Sequence, residues 1–206
     1  MSLFPIFVKL QGRLVVVVGG GEIAAGKIDG LLRAGAHVRV IAPEVHASFA
    51  EPIRSRTIEW VPRKFEADDL AGATLAIAAT SAPGVNAAVY REAESRGILC
   101  NAVDDIENCH FYYGSIVQRG DWQIAISTNG KSPALAQRLR QELEQQFGPE
   151  YEVWLEWLGA ARELMRAADG GGTEGNKQML HHLASKPMYE RFVKEARREP
   201  SRQGVS

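Results

Sequence analysis

The sequence predicts an α/β fold built on a doubly wound parallel sheet. Short, continuously apolar runs, which are typical of strands buried on both faces of such a sheet, alternate with segments of helical periodicity. A glycine-rich turn follows the first run, at a place where folds of this class often bind a ligand. The predicted strands are residues 14–18, 38–42, 57–61, 75–79 and 98–103.

Helices are predicted between these strands. Apolar residues recur at helical spacing over residues 23–33, and Gly35 ends that helix. A second helix is predicted over residues 85–96, before Gly97. Pro62 interrupts the third strand, and because proline donates no ladder hydrogen bond, we place that strand near an edge of the sheet.

The pattern changes in the second half of the chain. Predicted strands at residues 115–118 and 123–127 flank Arg119-Gly120-Asp121 and indicate a β-hairpin, which the parallel sheet does not need. We therefore predict a second module there, and we interpret the RGD triplet as a turn instead of an adhesion motif. Ser132 and Pro133 open a helix as its N-cap and its first residue.

The remainder of the chain is predicted to be helical. Gly148-Pro149 separates the helix after Ser132 from a helix with a strong apolar stripe. Residues 170–172 are expected to form a flexible loop, the last helical segment to break at Pro187, and the polar end of the chain to fray. The apolar face of the first of these helices carries Leu135, Leu139, Leu143 and Phe147.

Composition excludes several classes of protein. The chain has 206 residues, 45% of them apolar, which suits one domain with an appendage or two small domains. A formal net charge of -1 indicates neither nucleic acid nor a membrane surface as a partner. No signal peptide or membrane-length apolar run is recognisable, and Cys100 and Cys109 are too few for a disulfide framework. We therefore expect a reduced, cytoplasmic protein.

The segment VVVVGGGEIAAGKID, residues 15–29, contains two overlapping phosphate-loop patterns. The P-loop pattern ends at Lys27, but Ile28 stands where a P-loop has the hydroxyl residue that binds Mg²⁺. We reject the P-loop on this ground, and Lys27, in the second turn of the helix, can point to solvent.

The second pattern, Gly19-x-Gly21-x-x-Ala24, is typical of a Rossmann-like dinucleotide site. Gly19 permits the tight turn, Gly21 lets a pyrophosphate approach the backbone, and Ala24 lets the helix pack closely on the strand. The helix N-terminus favours an anion through its N–H groups and its dipole. A glycine-rich turn that binds nothing is the alternative.

The residues after the second strand favour NAD as the cofactor. The usual ribose-binding acid is missing there, since Ile41-Ala42-Pro43 occupies the point and Glu44 is the nearest acid. No arginine or lysine stands at this point to bind the 2′-phosphate of NADP, so the sequence favours NAD over NADP.

Polar residues also follow the fourth and fifth strands. Thr80-Ser81 ends one and Asp104-Asp105 ends the other, at the edge of the sheet where ligands bind. A carboxylate there could act as a general base. The alternative is that one aspartate caps the next segment and the other is solvated. No metal site is predicted, because the histidines and cysteines lack further ligands at metal spacing.

Over about residues 1–148 the chain resembles the N-terminal module of siroheme synthases, the precorrin-2 dehydrogenase/sirohydrochlorin ferrochelatase family. The resemblance rests on motifs in a fixed order: LFPIF at 3–7, VGGGEIA at 18–24 followed by Lys27, AIAAT at 76–80, CNAVD at 100–104, SIV at 115–117, AIS at 125–127 and GKSPALA at 130–136. Two departures are Gly114, where the family usually has proline, and Asn129, where it usually has glycine.

The resemblance implies NAD-dependent oxidation of precorrin-2 to sirohydrochlorin, and in some members insertion of Fe²⁺ to give siroheme. It implies an NAD-binding Rossmann domain at residues 1–112, a β-hairpin/helix dimerisation region at 113–148 and a helical C-terminal domain at 149–206, assembled as a homodimer. Whether iron insertion accompanies the oxidation stays open. A non-catalytic NAD-binding redox regulator is the alternative function.

The resemblance also assigns site residues. The acid/base of the family falls on Asp104, which would serve both reactions. The predicted cofactor-binding residues are Gly19, Gly21, Glu22, Ile23, Ala42, Pro43, Glu44 and Thr80. The predicted residues for binding the tetrapyrrole are Asn101, Ser127, Lys131 and Ser132, and the basic residues Arg119 and Arg138 could also meet its carboxylates.

Overall fold

The computed structural model describes residues 3–169 and 173–196, in two compact units, residues 1–112 and 113–206. The loop predicted at residues 170–172 and the frayed end of the chain lie outside the described residues. No helix among the residues described is long and apolar enough to cross a membrane.

The first unit is built on a five-stranded parallel sheet in the order β3-β2-β1-β4-β5. The strands are β1 (Leu14–Val18), β2 (His37–Ile41), β3 (Ile58–Val61), β4 (Leu75–Ala78) and β5 (Leu99–Ala102). The predicted fold class is confirmed, and β3 lies at an edge, as Pro62 indicated. The strand order reverses at β1, which pairs with β2 on one side and with β4 on the other.

Helices cover both faces of this sheet. They are α1 (Glu22–Arg33), the short α2 (Ala50–Arg54) and α3 (Pro83–Ser95). Val15 and Val17 belong to the core cluster that contains the buried residues of α1, whereas Val16 and Val18 belong to the cluster that contains those of α3. Successive residues of β1 therefore point to opposite faces, and both faces are buried. Neither α2 nor the short 3₁₀ turns were predicted, because segments of three to five residues show no helical periodicity.

The second unit starts with an antiparallel hairpin of β6 (Ser115–Arg119) and β7 (Trp122–Ile126). Helices follow at α4 (Pro133–Gln146), α5 (Glu150–Asp169), α6 (Glu174–Leu183) and α7 (Lys186–Ala196). The predicted break at Pro187 is displaced, because α6 ends before this residue and Pro187 lies in the first turn of α7. Proline fits there, since the first backbone N–H groups of a helix make no hydrogen bond within the helix.

The turn of the hairpin contains the RGD triplet. Arg119 donates hydrogen bonds from Nε to the Phe147 carbonyl (3.0 Å) and from Nη2 to the Glu144 carbonyl (3.0 Å). These are carbonyls at the C-terminal end of α4, which have no partner within the helix. Arg119 thus caps α4, and its guanidinium is committed to backbone oxygens within its own unit.

Candidate active site

The first unit has a cleft of about 970 Å³ at the carboxyl ends of its strands. It lies where the strand order reverses, which is the usual ligand site of open α/β sheets. All eight residues predicted to bind the cofactor line it, and so does Asp104: Gly19, Gly21, Glu22, Ile23, Ala42, Pro43, Glu44, Thr80 and Asp104.

The glycine turn forms the floor of the cleft. Gly19 has a φ of 120°, and a Cβ there would overlap the Ala79 carbonyl. A Cβ at Gly20 would overlap the Glu44 carbonyl, so this position also accepts only glycine without a shift of backbone. A Cβ at Gly21 would meet no atom within 4 Å and would enter open space. Backbone atoms of the chain thus lie close to Gly19 and Gly20, whereas Gly21 is open to the cleft, as the approach of a pyrophosphate requires.

The N-terminus of α1 faces the same turn. Gly21 is its N-cap and provides no side chain to bond the first N–H groups of the helix. Glu22 and Ile23 occupy the first turn, line the cleft and are exposed. An uncapped helix end beside an open glycine fits a dinucleotide phosphate. Ala24 is fully buried in the cluster shared with β1, in agreement with its predicted packing role.

The wall after β2 carries a cation that the sequence reasoning missed. Pro43 and Glu44 line the cleft as predicted, and Lys64 and Phe65, which follow β3, line it as well. The end of β2, on which the preference for NAD over NADP was based, carries no such cation. Since β3 pairs with β2, the end of the neighbouring strand belongs to the same wall. Pro62-Arg63-Lys64, just after a predicted edge strand, was the signal.

The wall after β4 is held by Asn86, a second residue that the sequence reasoning missed. Asn86 is 5% exposed and lies in α3. Its Oδ1 accepts hydrogen bonds from the Thr80 backbone N–H (3.1 Å) and the Thr80 hydroxyl (2.7 Å), and its Nδ2 donates to the Thr80 carbonyl (3.0 Å). These bonds fix Thr80 at the rim of the cleft. A polar residue on the buried face of a predicted helix could have indicated it.

Asp104 and Asp105 have different surroundings. Asp104 is exposed, lines the cleft and has a φ of 59°, a left-handed conformation that aspartate and asparagine tolerate better than most residues. Asp105 is the N-cap residue of the 3₁₀ turn Ile106–Asn108, and its Oδ2 accepts a hydrogen bond from Asn108 Nδ2 (2.6 Å). Of these two aspartates, Asp104 is therefore the one that lines the cleft.

Lys27 is less exposed than its place in the second turn of the helix led us to expect. It is half-buried, burial lowers the pKa of its ammonium, and the charge of Asp104 acts on the same pKa in the opposite direction. The helical spacing explains this placement. Lys27 follows Ala24 by three residues, and buried Ile28 and Leu31 follow Ala24 by four and seven, so all four share one side of α1.

Known proteins match both halves of this architecture. Residues 6–115 match the family model described as "Putative NAD(P)-binding", and residues 119–146 match the one described as "Sirohaem biosynthesis protein central". The chain belongs to the siroheme synthase N-terminal family. The resemblance predicted from the motifs and the presence of an NAD(P)-binding domain are confirmed.

Several curated siroheme synthases are similar to the chain. The siroheme synthase of Actinobacillus pleuropneumoniae serotype 3 is 44% identical over 149 residues, which are 72% of this chain and 31% of that protein. Siroheme synthase 1 of Serratia proteamaculans is 39% identical over 171 residues, which are 81% of this chain and 36% of that protein. The chain therefore spans about a third of the length of these relatives.

A solved structure is similar to nearly the whole chain. It is titled "SirC, precorrin-2 dehydrogenase", and it is superimposable with a TM-score of 0.79 at 26% sequence identity. The match covers 95% of this chain and 96% of that one. Both the parallel sheet and the helical second half of this siroheme synthase family member therefore have a counterpart in one solved protein.

Asn101 has structural hydrogen bonds in this family member. It is 7% exposed, and its Nδ2 donates to the Phe111 carbonyl (2.9 Å) and to Cys109 Sγ (3.3 Å). Asn101 is not among the described residues that line the cleft. These bonds tie β5 to the segment after the aspartates. A direct contact between Asn101 and a substrate stays a prediction.

The other predicted substrate residues lie in the second unit. Ser132 is the N-cap of α4, and its Oγ accepts a hydrogen bond from the Leu135 N–H (3.2 Å). Ser127 Oγ accepts one from the Asn129 N–H (3.2 Å), and Lys131 is an exposed residue of the turn before α4. The hydroxyls of Ser127 and Ser132 thus shape this turn, and tetrapyrrole binding by these residues stays a prediction.

The two departures from the family motifs fit the local backbone. Asn129 has a φ of 53°, and asparagine tolerates this conformation better than most residues that could replace glycine. At Gly114 a Cβ would lie 2.8 Å from the Ile126 carbonyl oxygen, so this hairpin is built closely around glycine. Both departures therefore match the backbone that this chain adopts at the two positions.

The described residues contain no group of three or more histidine, cysteine or acidic side chains that could hold a metal ion. Cys109 Sγ donates hydrogen bonds to the carbonyls of Ala102 and Asp105, both at 3.1 Å. Burial raises the pKa of the Cys100 thiol to about 12, so this cysteine stays protonated at neutral pH. Both cysteines have packing roles in this structure.

Proposed function

We propose that the chain catalyses the NAD-dependent oxidation of precorrin-2 to sirohydrochlorin. The observation that carries the proposal is that Asp104 lines the same cleft as the glycine turn. One cleft thus brings a carboxylate to the place where the dinucleotide would bind. The likeness to a solved protein titled precorrin-2 dehydrogenase, over nearly the full length of both chains, supports the same reaction.

The cofactor would be held at three walls. The open backbone at Gly21 and the first turn of α1 would bind the pyrophosphate. Pro43 and Glu44 would contact the adenosine ribose, and the Thr80 loop, held by Asn86, would face the nicotinamide half. When bound, NAD⁺ supplies the two-electron acceptor for the oxidation.

Asp104 would act as the general base. Oxidation of precorrin-2 breaks a C–H bond whose electron pair leaves as hydride, and it releases one proton. The Asp104 carboxylate would accept that proton and form an O–H bond. Because Asp104 is exposed at the cleft and lies two residues after strand β5, it can meet a large substrate while the sheet holds its backbone.

Insertion of Fe²⁺ would use the same carboxylate. The macrocycle nitrogens bind the iron and lose two protons, which Asp104 could accept in turn. Ser127, Lys131 and Ser132 are proposed to bind carboxylates of the tetrapyrrole. A homodimer formed through residues 113–148 and a cytoplasmic location are further parts of the proposal.

An anaerobic assay tests the oxidation. Purified protein, NAD⁺ and enzymatically prepared precorrin-2 are mixed, and NADH and the sirohydrochlorin spectrum are followed together. NADH and sirohydrochlorin should appear in equal amounts. Fe²⁺ is then added, and formation of siroheme above the uncatalysed rate would add the second activity. A folded protein that binds NAD⁺ but produces no NADH would instead favour the redox regulator.

A further inference from the structure

We propose that Lys27 is a positioning residue for Asp104, and that its ammonium orients the Asp104 carboxylate toward the reacting end of the cleft. The inference rests on the proposed function for its catalytic meaning. The pairing of the two side chains is a separate claim, which can be tested in the absence of any substrate.

The position of Lys27 on α1 supports this role. Lys27 lies on the same side of the helix as Ala24, Ile28 and Leu31, which are all buried against the sheet. It is also one turn away from Ile23, which lines the cleft. A lysine at such a place has to leave water in part, and it needs a partner that offsets the lost hydration.

The segment that packs against this side of α1 leads directly to Asp104. Val103 and Phe111 pack against the core cluster that contains Ala24, Ile28 and Leu31. Asp104 follows Val103 directly, and its left-handed backbone turns the chain there. Asp104 therefore follows a residue that packs on the side of α1 that carries Lys27. Burial lowers the pKa of the Lys27 ammonium, and the charge of Asp104 acts to raise it.

This role is distinct from cofactor binding. Among the described residues, those that line the cleft include Glu22 and Ile23 of α1 but not Lys27. Lys27 would therefore act through Asp104 and not on the dinucleotide. In this role Lys27 exchanges no proton with the substrate, whose proton passes to the Asp104 carboxylate.

The kinetic test compares Lys27→Met, which removes the charge at similar volume, with Lys27→Arg, which keeps it. We expect Lys27→Met to lower kcat at least about tenfold, with the Kd for NAD⁺ and the KM for precorrin-2 unchanged. Lys27→Arg should recover most of kcat. Arg33→Met, at the exposed end of the same helix, is the matched control and should behave as the wild type.

A thermal double-mutant cycle tests the pairing without substrate. Tm is measured for the wild type, Lys27→Met, Asp104→Asn and the double variant. If the side chains are paired, Lys27→Met should lower Tm by several degrees more in the wild-type background than in the Asp104→Asn background. Equal shifts in both backgrounds would overturn the pairing.

The two experiments distinguish the possible failures. An active wild type whose kcat is insensitive to Lys27→Met would overturn the positioning role and leave the proposed function standing. A rise in the Kd for NAD⁺ in Lys27→Met would assign the residue to the cofactor and also overturn the proposal. If the wild type does not oxidise precorrin-2, the proposed function fails, and the thermal cycle alone decides whether Lys27 and Asp104 are paired.

Discussion

At the scale of single residues, the conformation of Asp104 suggests a clean test of its role. Asparagine has the same size as aspartate and tolerates the φ of 59°, so Asp104→Asn should keep the turn and remove only the base. We expect kcat for precorrin-2 oxidation to fall by roughly 10²- to 10⁴-fold while the Kd for NAD⁺ stays within about twofold. Anaerobic turnover and fluorescence titration with NAD⁺ measure the two quantities.

Asp105→Asn is the matched control for this prediction. Asp105 is the adjacent carboxylate, but it is engaged by Asn108 in the 3₁₀ turn, so its loss should leave turnover close to that of the wild type. Turnover of Asp104→Asn above a tenth of the wild-type rate would place the general base elsewhere.

At the scale of elements, the connection between β3 and β4 is held by an ion pair. Arg63 donates to both carboxylate oxygens of Asp69, at 2.8 Å and 2.6 Å, and Asp69 also accepts a hydrogen bond from the Glu66 N–H (2.8 Å). The hydrogen bond from Arg63 is the main cause that keeps the pKa of Asp69 below its ordinary value, while burial opposes it. This clamp flanks Lys64 and Phe65, which line the cleft.

The clamp predicts a pH dependence of stability. The pKa of Asp69 is lower in the folded than in the unfolded chain, whose value is about 3.9. The contribution of Asp69 to the free energy of unfolding is therefore complete when the pH is above the pKa that Asp69 has in the unfolded chain. This contribution is lost as the pH falls below about 4 toward the pKa that Asp69 has in the folded chain. Asp69→Asn should lower the urea midpoint of unfolding at pH 7. On acidification, the urea midpoint of this variant should fall less than that of the wild type. Asp68→Asn, which changes an exposed neighbour, is the control. If the urea midpoint of Asp69→Asn depends on acid pH as strongly as that of the wild type, the prediction is refuted.

At the scale of the whole molecule, exposed apolar side chains support self-association. Ile116 on β6 is 47% exposed and Leu135 on α4 is 40% exposed, and both belong to the predicted dimerisation region. We expect light scattering to give twice the chain mass of 22.6 kDa for the wild type and a single chain mass for Ile116→Lys, because a lysine in an apolar interface leaves its charge unpaired. Val153→Lys, exposed on α5 outside that region, should remain dimeric. A monomeric wild type at micromolar concentration would contradict the proposal.

The features that the sequence by itself determined are those with a local cause. Apolar runs and the glycine turn located all five strands of the sheet, and Ser132 and Pro133 located the start of α4, because strand burial and helix capping depend on a few neighbouring residues. The dinucleotide fingerprint also placed the cofactor cleft. Each of its glycines has the backbone or the free space that the motif predicts.

Only the tertiary structure decided which side chains meet across the cleft. Lys64 reaches the wall of Glu44 because β3 pairs with β2, and Asn86 holds Thr80 because α3 returns along β4. The charge of Asp104 acts on Lys27 because Val103 packs against the core cluster of α1, although the two charged residues are 77 positions apart in the chain. These contacts depend on strand order and on helix rotation, which are set by the packing of the complete sheet and not by any short stretch of sequence.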